Sequence, residues 1–439
     1  MNVHLQPQTA SDSPTAERGE AEELAYRISR SRLYGSVSVG GAKNSGLRLM
    51  AATLLTPAVV ELRNSPNGLR DAIVQRGMLE TLGKTCRVDG DILTVSEEAP
   101  LKTALEWPGR SIRNTLLVLG ALTARLGEGA VPLPGGCDIG ESGDRKYDLH
   151  IMLLEQLGAR VWSEEGMLRA EARGGLAGTD IHLPLRSTGA TENAILCGTL
   201  ARGVTRIWNP HVRPEIIDLI KFLRMLGARI TVFGQEHIEI AGTDGLQGGS
   251  YRVIPDNVEA LTWLIGAMIT GGEVEIGDFP FDHLEVPLIF LRESGARFFR
   301  GDDALVVRGG RCYPVDIATG PYPGINSDMQ PLFAVYAAAA RGVSTLIDLR
   351  FPGRYGYAGE MERMGLQFST QGNLLRIVGG SPLHGSEVRA LDLRAGIALS
   401  LAGLIADGET RVTDAWQVER GYADFVGKLR SLGGQIDVD

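Results

Sequence analysis

One short pattern occurs six times along the chain and leaves few folds open to it. Each copy ends a helix-like stretch on a glycine and continues into alternating apolar residues around a turn. The copies read LETLGKTCRVDGDILTV, LEQLGARVWSEEGMLRA, LRMLGARITVFGQEHIEI, LRESGARFFRGDDALVV, MERMGLQFSTQGNLLRI and LRSLGGQIDVD. Their glycines, Gly83, Gly158, Gly227, Gly295, Gly365 and Gly433, recur at intervals of 68 to 75 residues. A second series interleaves with the first. Small apolar stretches such as RNTLLVLGALTARLGEGAV and LSLAGLIADGETRV run into β-rich tails at Gly129, Gly203, Gly272, Gly342 and Gly408, with Pro57 in the first place.

Each unit is therefore expected to hold a buried helix, a strand, an amphipathic helix closed by glycine, and a hairpin. The Ala/Gly/Leu-rich helices are apolar nearly all round, which places them inside the molecule, with the polar-faced helices outside. A period near 70 exceeds that of common solenoids. Six such units in 439 residues predict an α/β protein of two pseudosymmetric lobes, three units in each. A cleft between two lobes can close over a small ligand and exclude water. A rigid scaffold that binds protein is the alternative that repeats alone leave open.

The formal net charge of −9 argues against a nucleic-acid or membrane-surface role, since both partners are themselves negative. No run of about 18 apolar residues predicts a membrane span. Residues 1–21 are polar and lack a signal-peptide core, and are expected to form a disordered tail. Cys86, Cys137, Cys197 and Cys312 are scattered without CxxC pairing, as in a reduced, cytoplasmic protein. The seven histidines show no ligand spacing, and no dinucleotide fingerprint or nucleophile elbow occurs. No metal and no cofactor are expected.

Lys43 lies in GGAKNSG, before a buried helix, where glycines let backbone amides approach an anion. The same pattern also fits an exposed lysine in a turn. Arginines open several units: Arg113 in SIRNTL, Arg354 in PGRYGY, Arg394 in LDLRAG and Arg420 in VERGY. An arginine at the start of an apolar helix needs an anion partner if it is buried. Asp328, in NSDMQPLF, fits either a helix N-cap or a general base facing the cleft. Cys137 follows two glycines on a polar loop ending in Arg145 and Lys146, charges that favour the thiolate. It is either a reactive thiol or an adventitious one.

The motifs GAKNSG, PLPGGCDIG, DLHIMLLEQLGARV, SDMQ, LDLRAG and VERGYADFVGKLRSLG, in order between residues 27 and 439, resemble the UDP-N-acetylglucosamine enolpyruvyl transferase family. The related 5-enolpyruvylshikimate-3-phosphate synthases share the six-unit fold but not the Gly-Gly-Cys loop. The resemblance implies a two-lobed inside-out α/β barrel of six repeats. Lobe I would span 43–253 and lobe II 22–42 plus 254–439, with the active site between them. It implies transfer of enolpyruvyl from phosphoenolpyruvate to a hydroxyl, with release of phosphate. By position Cys137 would protonate the methylene carbon and Asp328 would take the acceptor proton. Lys43, Arg113, Arg145, Arg394 and Arg420 would hold phosphoenolpyruvate. The acceptor would meet Asn44, Arg145, Asp148, Leu149, Arg186, Ser187, Thr188, Gly189, Asp328, Arg350 and Arg354.

Departures from the family pattern bear on the acceptor. Seven residues separate Cys137 from Arg145, where the family has four. Leu185 stands where a lysine usually helps hold the diphosphate, and Arg350 where a small apolar residue faces the sugar. The uridine-facing Asp148-Leu149 is kept. These changes favour uridine monophosphate as the acceptor, with UDP-N-acetylglucosamine as the alternative. The retained Cys137, Asp328 and Lys43 argue against an inactive binding module, and the Gly-Gly-Cys loop with the uridine-type Asp148-Leu149-His150 argues against a sugar-phosphate or shikimate-type acceptor.

Overall fold

The computed structural model describes residues 24–133 and 147–439. The expected tail at 1–21, Cys137 and Arg145 lie outside the described residues.

The first half of the chain carries helices α1 (Lys43–Ala52), α2 (Arg70–Leu82), α3 (Thr115–Leu126), α4 (Asp148–Gln156), α5 (Thr188–Leu200) and α6 (Pro214–Met225). The second half carries α7 (Asn257–Ile269), α8 (Phe281–Glu293), α9 (Gln330–Ala339), α10 (Gly356–Glu362), α11 (Leu393–Gly403), the single turn α12 (Trp416–Glu419) and α13 (Phe425–Ser431). The odd-numbered helices from α1 to α11 are the Ala/Gly/Leu-rich ones, and they are buried almost throughout; every residue of α11 is buried. Helices α4, α8 and α13 expose one face. The helices are thus inside and the sheets outside, the inside-out arrangement expected of a helix with no polar face.

Sheet topology repeats with the period. Asp316–Ala318 runs parallel to Gly342–Ile347, which pairs antiparallel with Leu374–Gly379, which pairs antiparallel with Gln367–Gln371. The same order of one parallel and two antiparallel pairings recurs in four further four-stranded sheets. In the sixth, a three-stranded sheet, the parallel partner shrinks to a bridge between Ala104 and Ala130. The glycines of the first series follow helices α2, α4, α6, α8, α10 and α13, and all six have positive φ, between 80° and 110°. Only glycine adopts that left-handed closure without a side-chain penalty. The second series is not uniform. Gly203, Gly342 and Gly408 have positive φ, but at the other two sites the left-handed turn is made by Gly127 and Gly271. Gly272 is needed for space instead, since a Cβ there would lie 1.9 Å from the Leu33 carbonyl oxygen.

Two separate hydrophobic cores result. One runs from Leu47 to Val253, and the other joins Tyr26–Val39 to Val258–Ile436. The N-terminal strand Tyr26–Ser29 is inserted between Glu409–Thr413 and Gln435–Val438. The chain passes between the cores twice, through segments that lie side by side: Ala42 N–H donates to the Ile254 carbonyl (2.8 Å) and Asp256 N–H to the Gly40 carbonyl (2.9 Å). No helix among the described residues is long and apolar enough to cross a membrane.

Candidate active site

A cleft of about 1110 Å³ is lined by residues of both lobes. All six inner helices deliver their N-terminal ends to it: Lys43, Asn114, Thr188, Asn257, Met329 and Leu393 line its wall. The first N–H groups of a helix lack internal acceptors, and the helix dipole adds partial positive charge there. Six such ends make the cleft attractive to anions before any side chain is counted. Among the described residues, the lining then adds nine lysine and arginine side chains against six carboxylates, in a protein that is negative overall.

Every described candidate lines this cleft: Lys43, Asn44, Arg113, Asp148, Leu149, Arg186, Ser187, Thr188, Gly189, Asp328, Arg350, Arg354, Arg394 and Arg420. The sequence separates them by up to 377 positions; the fold brings them together.

Lys43 begins α1 and is only 8% exposed, so it is not a lysine in a solvated turn. The glycines of GGAKNSG are engaged in packing. A Cβ on Gly41 would lie 1.8 Å from the Asn64 carbonyl oxygen, and one on Gly46 would strike the Pro66 ring at 2.5 Å. Lys43 Nζ lies 2.7 Å from Asp71 Oδ2, and Arg420 Nε donates to Asp71 Oδ1 at 3.1 Å. Burial pulls the Lys43 ammonium below the ordinary lysine value, with Asp71 opposing. Burial would raise Asp71, but Lys43 and Arg420 outweigh it and hold the carboxyl below its usual range.

Asp328 does not cap α9. The N-cap there is Met329, without a side-chain bond, because the Asp328 carboxylate is turned to arginine. Arg354 Nη1 donates to Oδ1 at 3.0 Å and Arg394 Nη2 to Oδ2 at 3.3 Å. Both arginines are almost fully buried. The capping aspartate is Asp392, whose Oδ1 accepts from Arg394 and Ala395 N–H at 2.7 Å each, while Oδ2 accepts from Arg354 at 3.3 Å. Asp328 thus lies between two fixed guanidiniums, one on each carboxylate oxygen.

In lobe I, Asp148 and Leu149 open α4, and Ser187 caps α5 by accepting from Ala190 N–H. Leu185, 44% exposed, brings no cation to this wall. His150 is buried against Gly189, with Nδ1 3.1 Å from Asn193 Nδ2. Burial, with Arg113 nearby, pushes it down to about 3, so it is neutral at physiological pH. Sequence reasoning missed Asp71, Asp392, His150 and the buried pairs Arg48–Glu192 and Arg213–Glu215, all of which line the cleft. The aspartates each lie within two residues of a helix start, a signal that reads equally as capping. Among the described residues no group of three or more His, Cys, Asp or Glu could hold a metal ion.

Inside-out lobes of three units bring cation-rich helix ends together in the cleft between them. The chain belongs to the EPSP synthase (3-phosphoshikimate 1-carboxyvinyltransferase) family, whose model matches residues 28–429. It is 41% identical to a UDP-N-acetylglucosamine 1-carboxyvinyltransferase of Gluconacetobacter diazotrophicus over 92% of this chain and 97% of that one. An Aeromonas hydrophila protein of the same name is 38% identical over 93% and 97%. The structure of the enolpyruvyl transferase NikO from Streptomyces tendae superposes with a TM-score of 0.86 at 26% identity, covering 95% of this chain and 99% of that one. EPSP synthase from Acinetobacter baumannii, at 20% identity and a TM-score of 0.74 (95% and 100% covered), shares the fold.

Proposed function

We propose that the protein transfers the carboxyvinyl group of phosphoenolpyruvate to a ribose hydroxyl of uridine monophosphate. The observation that carries the reaction is the pairing, in one cleft, of the Lys43–Asp71–Arg420 group with Asp328 between Arg354 and Arg394. Phosphoenolpyruvate brings a phosphate and a carboxylate, which require several fixed cations; Lys43, Arg113, Arg394 and Arg420 from the described residues, with Arg145, supply them. Asp328 takes the proton of the acceptor hydroxyl as its oxygen attacks C2. Cys137 delivers a proton to C3, which develops oxocarbenium character at C2 that the attacking acceptor oxygen quenches. Loss of a C3 proton and departure of phosphate then restore the double bond on the transferred group.

Two observations support the monophosphate. Leu185 puts an aliphatic side chain where the family pattern has a lysine for the diphosphate, and Arg350 brings a charge to the cleft where that pattern has a small apolar residue. A buried site that loses a hydrogen-bonding cation discriminates against the substrate that needs it. Identity of 41% to a relative named for UDP-N-acetylglucosamine favours the second reading, that the sugar nucleotide is the acceptor.

The test is a mass-spectrometric assay of phosphoenolpyruvate with each nucleotide side by side. Carboxyvinyl product from uridine monophosphate is expected. Product from UDP-N-acetylglucosamine alone would replace this reading with the second.

A further inference from the structure

A second group of cations, apart from the Lys43–Asp71–Arg420 set, surrounds His211. Burial lowers the His211 ring to about 4, with Arg213, Arg350 and Arg186 adding to the shift and Glu215 opposing it. Arg213 is matched, with Nε and Nη2 donating to Glu215 at 2.7 and 2.8 Å. Arg186 and Arg350 are not matched in this way. Arg186 Nε donates to a neutral oxygen, Asn209 Oδ1, at 3.2 Å. The Arg350 guanidinium lies over the Phe351 ring, 5.3 Å from its centroid. Asp348, the carboxylate nearest in sequence, has its oxygens committed to the hydroxyls of Thr319 and Ser327 and to the N–H groups of Arg350 and Phe351. Neither arginine forms an ion pair among the described residues.

The two come from opposite lobes and line the same cleft. Arg186 directly precedes Ser187–Gly189, where the first N–H groups of α5 lack helical acceptors. The neighbouring His211 Nε2 is enclosed and has no hydrogen-bond partner, while Nδ1 meets Thr188 Oγ1 at 2.9 Å. Two guanidiniums without an ion pair among the described residues, a helix start and an unsatisfied ring nitrogen together suit an anion.

We propose that Arg186 and Arg350 form a clamp, one jaw on each lobe, for the terminal phosphate monoester of the acceptor, and so set its selection. This rests on the reading that the acceptor is a uridine nucleotide. A monoester dianion can accept from both guanidiniums at once, so it joins the lobes as well as filling the site. An uncharged nucleoside gains neither effect.

The experiment measures the dissociation constants of uridine monophosphate and of uridine by calorimetry, for the wild-type protein, Arg186→Gln, Arg350→Gln and Arg350→Lys. The wild type should prefer the monophosphate on the order of 100-fold. Each glutamine variant should cut that preference about tenfold with uridine affinity unchanged, and Arg350→Lys should recover part of it. Equal binding of the two ligands by the wild type, or a preference untouched by both glutamine variants, overturns the clamp. The transfer assay separates this from the acceptor reading. Product from uridine monophosphate with an unaltered preference overturns the clamp alone. A preference lost in the variants, with no product from the monophosphate, upholds the clamp and overturns the acceptor.

Discussion

Asp71 and Arg420 meet across the cleft at 3.1 Å although 349 positions separate them in sequence. Arg420 therefore reaches the Lys43 side of the cleft from lobe II, and a carboxylate from lobe I pairs with it. Asp71 does the same for Lys43. It pairs with two buried cations at once.

Replacing that carboxylate should expose the cost of two unpaired buried cations. Asp71→Asn is expected to lose about 3 kcal/mol in urea unfolding, because breaking one partner of a buried pair leaves the others charged and desolvated. Phosphoenolpyruvate should then raise the unfolding midpoint more in the variant than in the wild type, since it supplies the missing negative charge. Equal shifts in the two proteins would remove this role for Asp71.

His150 makes a separate prediction about acid. Its folded value of about 3 lies below the ordinary 6.5, so the unfolded chain binds the proton first as pH falls. Stability on its account is complete above about 6.5 and declines as pH drops toward 3, by roughly 1.4 kcal/mol per unit. His150→Gln should flatten the slope of unfolding free energy against pH by about one proton across that window. An unchanged slope would show that the imidazole is not held neutral.

Asp328→Asn keeps shape and hydrogen bonding but removes the charge that Arg354 and Arg394 hold in place. Transfer should fall by at least about a thousandfold, within the range that general-base loss produces. Binding of phosphoenolpyruvate, followed by calorimetry, should persist. Turnover near the wild-type rate would exclude Asp328 as the base.

The thiols should differ in reactivity. Burial pushes Cys86 up to about 12 and Cys312 to about 11, and raises Cys197 further. Such thiols carry almost no thiolate at neutral pH. Fosfomycin, an epoxide, should therefore add once, and peptide mapping should place it on Cys137. An adduct on any of the other three, or an unchanged intact mass, would count against Cys137 as the reactive thiol.

Much of the fold was legible because its punctuation is local. The six glycines from Gly83 to Gly433 mark the left-handed ends of outer helices, and a repeated local need leaves a repeated letter. The exit series was read less fully. Gly129 and Gly272 keep the period, but Gly127 and Gly271 make the turns beside them, and sequence alone cannot separate a glycine required for φ from one required for space. Arginines opening apolar helices signalled buried anion partners, and Arg354, Arg394 and Arg420 have them. The partners themselves were hidden. Asp71 in the first turn of α2 and Asp392 before α11 look like ordinary helix-start aspartates, and only tertiary packing shows that they face cations. The clustering around His211 was invisible for the same reason: Arg186 and Arg350 are contributed by different lobes.

The paired segments Gly40–Ala42 and Ile254–Asp256 carry a mechanical consequence. Lobe I leaves and rejoins the rest of the chain at one spot, through two connecting segments tied to each other by backbone hydrogen bonds. Two antiparallel tethers so close together resist sliding and stretching but bend readily about the line that joins them. The relative movement of the two halves is thereby reduced from six degrees of freedom to something near one. A single distance across the mouth, such as that between labels near Arg186 and Arg350, is then sufficient to follow it.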